Sequence, residues 1–274
     1  MFEISELSVI AAQMETSLKG KVIAQGSLGN SPHKFVWYNR SHEEFAELCQ
    51  GKRIGNARLM GRWLGLDFEP RYRMIFGEMG GKIILHPKGE AIPKRYHLLL
   101  QFEDGMALTV VIGMWGALEL YKQGDELSRA YIKGMATTPL DPGFSQDYFL
   151  DLVAGITAKG KRSVKSLLTQ EQTIPGLGNA VAQDIMFRSG LNPRRNLQEL
   201  GKLELERLYH SILSVVREIK DLGGRYDETD LFGKPGGYIR LMDSKRKECP
   251  TCSAAIQTMQ YLGGACYFCP VCQS

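Results

Sequence analysis

Four cysteines near the end of the chain constrain its fold more than any other feature. They read Cys249-Pro-Thr-Cys252, then sixteen residues, then Cys269-Pro-Val-Cys272. Two Cys-x-x-Cys pairs at this separation are the spacing of one tetrahedral structural zinc, held by two thiolates from each arm of a β-hairpin. The insert from Ser253 to Phe268 has room for two short strands and a turn. The stretch from Lys234 to Ser274 is too short to bury a core of its own, so a metal has to hold it folded. Four thiolates leave no open coordination position, which makes the zinc structural and not catalytic. A pair of disulfides is the competing pattern, but the chain is otherwise poor in cysteine. Only Cys49 and Cys266 lie outside the pairs. Cys266 is three residues before Cys269, yet the symmetry of the two pairs favours the other four as ligands.

A chain of 274 residues suits about two domains plus a small appendage. No apolar run approaches the roughly 18 residues of a membrane span, and no basic stretch followed by an apolar one opens the sequence. A soluble cytoplasmic protein, monomeric and without a membrane partner, is expected. The net charge of +4 decides little, but its distribution says more. Lys159, Lys161, Arg162 and Lys165 cluster, Arg194 and Arg195 pair, and Lys245, Arg246 and Lys247 lead into the cysteine segment. Patches of this kind suit a polyanion.

Hydrophobic periodicity divides the chain. Ile4, Leu7, Ile10, Ala11, Met14 and Leu18 fall at helical spacing, with Gly20 as a stop. A short helix is predicted at Glu43 to Cys49, closed by Gly51. From Lys21 to about Tyr121 the pattern is strand-like. Nine short segments are predicted: Val22–Ala24, Phe35–Tyr38, Arg53–Leu59, Trp63–Phe68, Arg73–Gly77, Lys82–Leu85, His97–Phe102, Ala107–Ile112 and Ala117–Leu120. Turn residues separate them, with Glu103-Asp104-Gly105 as a hairpin turn. Many short strands at this spacing predict a β-sandwich or barrel. At Thr138-Pro139-Leu140-Asp141-Pro142 the composition changes and helices take over. Ser145 caps one through Val153, and Ser163 caps one through Gln170. The turn Thr173-Ile174-Pro175-Gly176-Leu177-Gly178-Asn179 feeds a helix at Ala180 to Ser189. Asn196 caps a short one, and Lys202 to Leu222 forms a long amphipathic one. Residues 223–247 read as glycine-rich and irregular. The fold class is α+β and multidomain, with a β-domain led by a helix over 1–138, a helical domain over 139–233 and a zinc ribbon over 234–274.

These stretches together resemble the formamidopyrimidine-DNA glycosylase and endonuclease VIII family of base-excision repair enzymes. The likeness runs end to end. It is carried by Glu3-Ile4-Ser5-Glu6-Leu7, by Pro175-Gly176-Leu177-Gly178-Asn179 followed by Gly190-Leu191-Asn192-Pro193, by Gly233-Lys234-Pro235-Gly236-Gly237-Tyr238, and by the cysteine pairs. It implies a two-layer β-sandwich, a helix–two-turn–helix domain, and a double-stranded, damaged or abasic DNA partner held in the cleft between them. Asn179, Lys159 and Lys161 then contact phosphate, for which the glycine turn and the helix N-terminus offer N–H groups and positive potential. Met79 stands at the family's wedge methionine and Trp115 at its stacking aromatic. Their flanking glycines predict exposed loop tips for both.

The resemblance breaks at the catalytic positions. Active members open Met-Pro-Glu, and removal of the methionine frees a proline nitrogen that attacks the sugar. Here residue 2 is Phe2. Methionine excision needs a small second residue, so Met1 is expected to stay, leaving a Met1 amine, or a Phe2 amine if it is removed, as the only nitrogen nucleophile. Glu3 is retained as the proton-transfer group. The family's β-domain lysine aligns with Arg62, its loop arginines with Gly113 and Met114, and its hairpin arginine with Gly264. Two readings stand. In the first, the protein is a divergent DNA glycosylase with weak or absent abasic-site lyase activity, in which Glu3 is catalytic and Arg62, Met79, Met114 and Trp115 engage DNA. In the second, it is a catalytically inactive protein that binds damaged DNA.

Overall fold

The computed structural model describes all 274 residues, Met1 to Ser274. Two compact units account for the chain: Met1–Met135 with Leu222–Gly237, and Ala136–Asp221 with Tyr238–Ser274. No helix is long and apolar enough to cross a membrane. The sequence-based partition at 138 and 233 differs from these units: the first boundary falls at 135, and Tyr238–Ser274 groups with the helical residues and not as a third unit. Residues 222–237 pack with the N-terminal unit.

The first unit opens with α1 (Ile4–Leu18), which buries Ile4, Leu7, Ile10, Met14 and Leu18 as its spacing predicts. Each large aliphatic side chain taken from water stabilises by about 1.5–3 kcal/mol before conformational entropy is counted. There follow β1 (Ile23–Leu28), β2 (Val36–Tyr38), α2 (His42–Cys49), β3 (Arg53–Met60), β4 (Trp63–Glu69), β5 (Tyr72–Gly77), β6 (Gly81–His86), β7 (Leu98–Phe102), β8 (Ala107–Ile112) and β9 (Gly116–Lys122). They form two sheets, β1-β7-β8-β6 and β2-β9-β5-β4-β3. One apolar core joins both sheets to α1 and includes Leu64, Leu66, Phe68, Ile83, Leu100 and Leu108. Of the two architectures the strand spacing allows, the sandwich is the one found.

β4 is buried on both faces except at Glu69. Met60 and Arg73 cover its outer face at Gly65 and Asp67, and at Trp63 a short helix, α3 (Ala130–Lys133), contributes Ile132, which packs with Met60, Trp63 and Ile75 in a second, smaller core. Cys49 packs so closely on Gly26 that a Cβ there would lie 2.1 Å from its sulfur, and burial pushes its thiol up to about 11. It is a packing residue, not a reactive one.

The second unit contains α4 (Gln146–Thr157), α5 (Val164–Thr169), α6 (Asn179–Ser189) and α7 (Lys202–Asp221). Ser145 and Ser163 cap α4 and α5 through their hydroxyls, as expected. Two turns, at 171–172 and 175–176, link α5 to α6, which is the expected helix–two-turn–helix. The second turn needs Gly176, whose φ is +81°. The chain ends in the hairpin β10 (Gln257–Tyr261) and β11 (Gly264–Phe268), paired antiparallel.

Candidate functional site

In the first unit the chain's N-terminus is built into the sandwich. The Phe2 amide donates to the Met79 carbonyl at 3.1 Å. Gly80 donates to the Trp115 carbonyl at 3.1 Å, and Gly113 donates to the Gly80 carbonyl at 2.6 Å. These bonds knit the first residues, the turn before β6 and the loop before β9 into one locale. It contains Met1, Phe2, Glu3, Met79, Met114 and Trp115, six of the residues singled out from the sequence.

Their exposures differ. Met114 and Trp115 are exposed, as their glycine neighbours predict. Met79 is not. Only 3% of its surface is accessible and its side chain belongs to the main core, which corrects the expectation of an exposed wedge. Glycines beside a methionine report the backbone's path and not the side chain's direction. Phe2 is also core, at 5%.

Beneath this locale lies an ionic cluster. Arg225, 2% exposed, donates from Nε to Glu6 Oε1 at 2.8 Å and from Nη2 to Glu6 Oε2 at 3.0 Å. Its Nη2 also donates to the Met1 carbonyl at 2.9 Å, and its Nη1 lies 3.5 Å from Glu3 Oε1. The Met1 ammonium donates to Glu228 Oε1 at 2.7 Å. Burial alone would lower the Arg225 pKa, but the carboxylates of Glu6, Glu3 and Glu228 outweigh it and hold the guanidinium above the ordinary arginine range. Glu3 and Glu6 also form a capping box at the start of α1, in which Glu6 accepts the Glu3 amide at 2.8 Å. Gly224, with φ +108°, leaves room for Glu6, whose Cγ would lie 3.3 Å from an added Cβ.

Arg225 and Glu228 were missed from the sequence because residues 223–247 carry no periodic pattern. The only available signal was a lone arginine directly after two glycines.

Arg62 lies at the turn between β3 and β4. Its guanidinium is ion-paired with Glu78 and stacks 4.9 Å from the Tyr131 ring centroid. Its backbone amide donates to the Tyr131 hydroxyl at 2.7 Å.

In the second unit, Lys159, Lys161 and Asn179 are exposed, and Asn179 opens α6. Its Nδ2 donates to the Ala265 carbonyl at 3.1 Å, and a Cβ on Gly264 would lie 3.2 Å from its Oδ1. The basic cluster contains one residue of another kind. Lys165 is 1% exposed, and its Nζ donates to the Tyr261 carbonyl at 2.5 Å and the Gly264 carbonyl at 3.2 Å. It anchors the hairpin turn to α5 and does not belong to the surface patch.

The sulfurs of Cys249, Cys252, Cys269 and Cys272 all lie within 4.8 Å of one another. Cys249 and Cys272 sulfurs are 3.8 Å apart and those of Cys252 and Cys269 3.5 Å. A tetrahedron of thiolates about 2.3 Å from a central ion has edges of about 3.8 Å. Backbone amides of Thr251 and Cys272 donate to the sulfurs of Cys249 and Cys269, both at 3.4 Å. The four residues therefore fit a metal ion. Cys266, buried on β11, is not part of the group.

The chain matches the formamidopyrimidine-DNA glycosylase N-terminal domain over residues 1–129 and the formamidopyrimidine-DNA glycosylase H2TH domain over residues 135–226. It is similar to a formamidopyrimidine-DNA glycosylase of Bacillus cereus, 26% identical over 100% of this chain and 99% of that protein. A protein of the same description from Listeria innocua is also 26% identical, with both chains fully covered. Among solved structures, a complex between the Lactococcus lactis Fpg and an abasic site containing DNA superposes with TM-score 0.85 at 22% identity, covering 99% of each chain. A complex of the same protein with an N7-benzyl-Fapy-dG containing DNA gives the same score.

Proposed function

The chain belongs to the formamidopyrimidine-DNA glycosylase family, and from that premise we propose that it is a DNA-repair glycosylase acting on damaged duplex DNA by hydrolysis, with little or no lyase activity at abasic sites. The observation that carries this reading is Phe2. Active members of the family place a proline nitrogen there, whereas here the position is a core aromatic whose nitrogen is a peptide amide bonded to Met79. The remaining amine, on Met1, is engaged by Glu228.

With the Phe2 nitrogen held as a peptide amide and the Met1 amine paired to Glu228, the route proposed is hydrolysis at the sugar C1′. Glu3 takes a proton from a water, whose oxygen bonds to C1′ as the bond to the base breaks and the base leaves with the electron pair. Arg225 holds the Glu3 carboxylate in position. Met114 and Trp115 supply the apolar surface that replaces an extruded base in the stack. Arg62 exchanges its Glu78 partner for a DNA phosphate. In the second unit Lys159, Lys161 and the Asn179 end of α6 bind phosphates.

The four cysteines hold a structural zinc, which when bound supplies only the cross-link that keeps the hairpin folded. The Glu3→Gln variant tests the catalytic assignment. Base release from a formamidopyrimidine-containing duplex should fall at least about a hundredfold, and unchanged release would remove Glu3 from the mechanism.

A further inference from the structure

Three large aromatic side chains are exposed together on the first unit. Phe35, Trp37 and Trp115 have 38%, 45% and 43% of their surfaces accessible, whereas the third tryptophan, Trp63, is buried. Trp37 and Trp115 lie nearly parallel, 12° apart with ring centroids at 5.6 Å, and Phe35 and Trp115 centroids are 4.3 Å apart. The sheet fixes the cluster. β2 pairs parallel with β9, Trp37 opposite Ala117, and Gly116 donates to the Phe35 carbonyl at 3.1 Å.

Three exposed rings so close together call for a partner. The two segments that carry them, Gly29–Arg40 and Met106–Leu118, are free of acidic residues, and the Lys34 ammonium lies 5.7 Å from the Phe35 ring centroid. Flat stacked faces beside cations are how proteins hold unpaired bases, since every base has a π-face and a phosphate next to it.

We infer that Phe35 and Trp37 extend the Trp115 loop into a stacking platform for unpaired nucleobases of single-stranded DNA. The platform shares Trp115 with the Glu3 locale, extends away from it through Phe35 and Trp37, and needs neither catalysis nor duplex. It deepens the DNA reading given above and rests on it only for the identity of the polyanion.

The test uses the full-length protein, a thymidine homo-oligonucleotide and an abasic duplex. Tryptophan fluorescence follows the first, because only Trp37 and Trp115 are exposed, and anisotropy follows both. The oligonucleotide should quench the fluorescence of the wild type. Trp37→Ala should weaken oligonucleotide binding at least about tenfold while abasic-duplex affinity stays within about twofold, and Trp37→Phe should restore most of the loss.

Absence of quenching, or quenching and affinity unchanged in Trp37→Ala, overturns the platform. An equal loss on both DNAs, or no rescue by Trp37→Phe, assigns Trp37 to structure and overturns it as well. Failure of the wild type to bind the abasic duplex, with the oligonucleotide still quenching, would instead contradict the glycosylase reading and leave the platform standing.

Discussion

Arg225 and Glu6 form a two-pronged ion pair across 219 residues of sequence, with Nε–Oε1 at 2.8 Å and Nη2–Oε2 at 3.0 Å. Both residues are almost fully buried. Through this pair the irregular segment 222–237 is fastened to the first turn of α1, beside the residue proposed to do the chemistry.

Removing the guanidinium strands buried carboxylates, which is far more costly than removing a surface pair. Arg225→Met should destabilise the first unit by about 3–5 kcal/mol in urea unfolding. Adding Glu6→Gln should recover part of that loss, because the stranded charge is then gone. A variant as stable as the wild type would show that the cluster does not hold the segment.

Two buried histidines should make the sandwich acid-sensitive. His86 is bonded to the Thr109 hydroxyl at 2.8 Å, and His97 Nδ1 accepts the Ile112 amide at 2.8 Å. Burial lowers both pKa values, for His97 with help from His33 nearby. Above about pH 6.5 both states are neutral and no penalty applies. Below it the unfolded chain binds protons that the folded one refuses, so stability falls as pH drops. Urea midpoints measured from pH 7.5 to 5.5 should decline below pH 6.5, and His97→Gln should flatten part of that slope. A pH-independent midpoint would contradict the assignment.

One zinc per chain should appear in metal analysis of the purified protein. Structural zinc contributes about 10–16 kcal/mol to the folding of small domains. Cys252→Ser or prolonged chelation should therefore unfold the hairpin, seen as loss of its amide protection, while the core of the first unit keeps its hydrogen-exchange pattern. A hairpin that stays protected without metal would remove zinc from the account.

Lys161 and Lys165 lie four residues apart but should behave differently. Lys161→Ala removes an exposed phosphate contact and should reduce the salt slope of DNA binding by about 1. Lys165→Met takes away the donor to the Tyr261 and Gly264 carbonyls. It should lower the unfolding midpoint of the hairpin and leave the salt slope unchanged. Equal slopes for both variants would return Lys165 to the DNA surface.

The sequence was a good guide wherever local chemistry decides. α1 spans the predicted residues, all nine predicted strands are present, and the serine caps on α4 and α5 follow from short-range hydrogen bonding. Strand ends shifted where a partner decides length. β9 runs to Lys122 because it pairs with β5 as far as Tyr72. Long-range packing was illegible. α3 has a single turn of helix, and nothing in its residues shows that Ile132 will roof Trp63. Met79 looked like a loop tip and is core, and Lys165 looked like surface charge and is buried. Arg225 could not be assigned without Met1, Glu3 and Glu6, which lie more than 200 residues away in sequence.

The decisive measurement is a denaturing gel of an end-labelled duplex containing one formamidopyrimidine lesion, incubated with the full-length protein and run with and without hot alkali, alongside a borohydride-treated sample. Hydrolytic base release predicts strand breaks that appear only after alkali and no borohydride-trapped adduct, the signature of a reaction without an amine intermediate. Breaks without alkali, or a trapped adduct, would contradict it by revealing a working nitrogen nucleophile, and no breaks under either condition would contradict it by showing that no base is released.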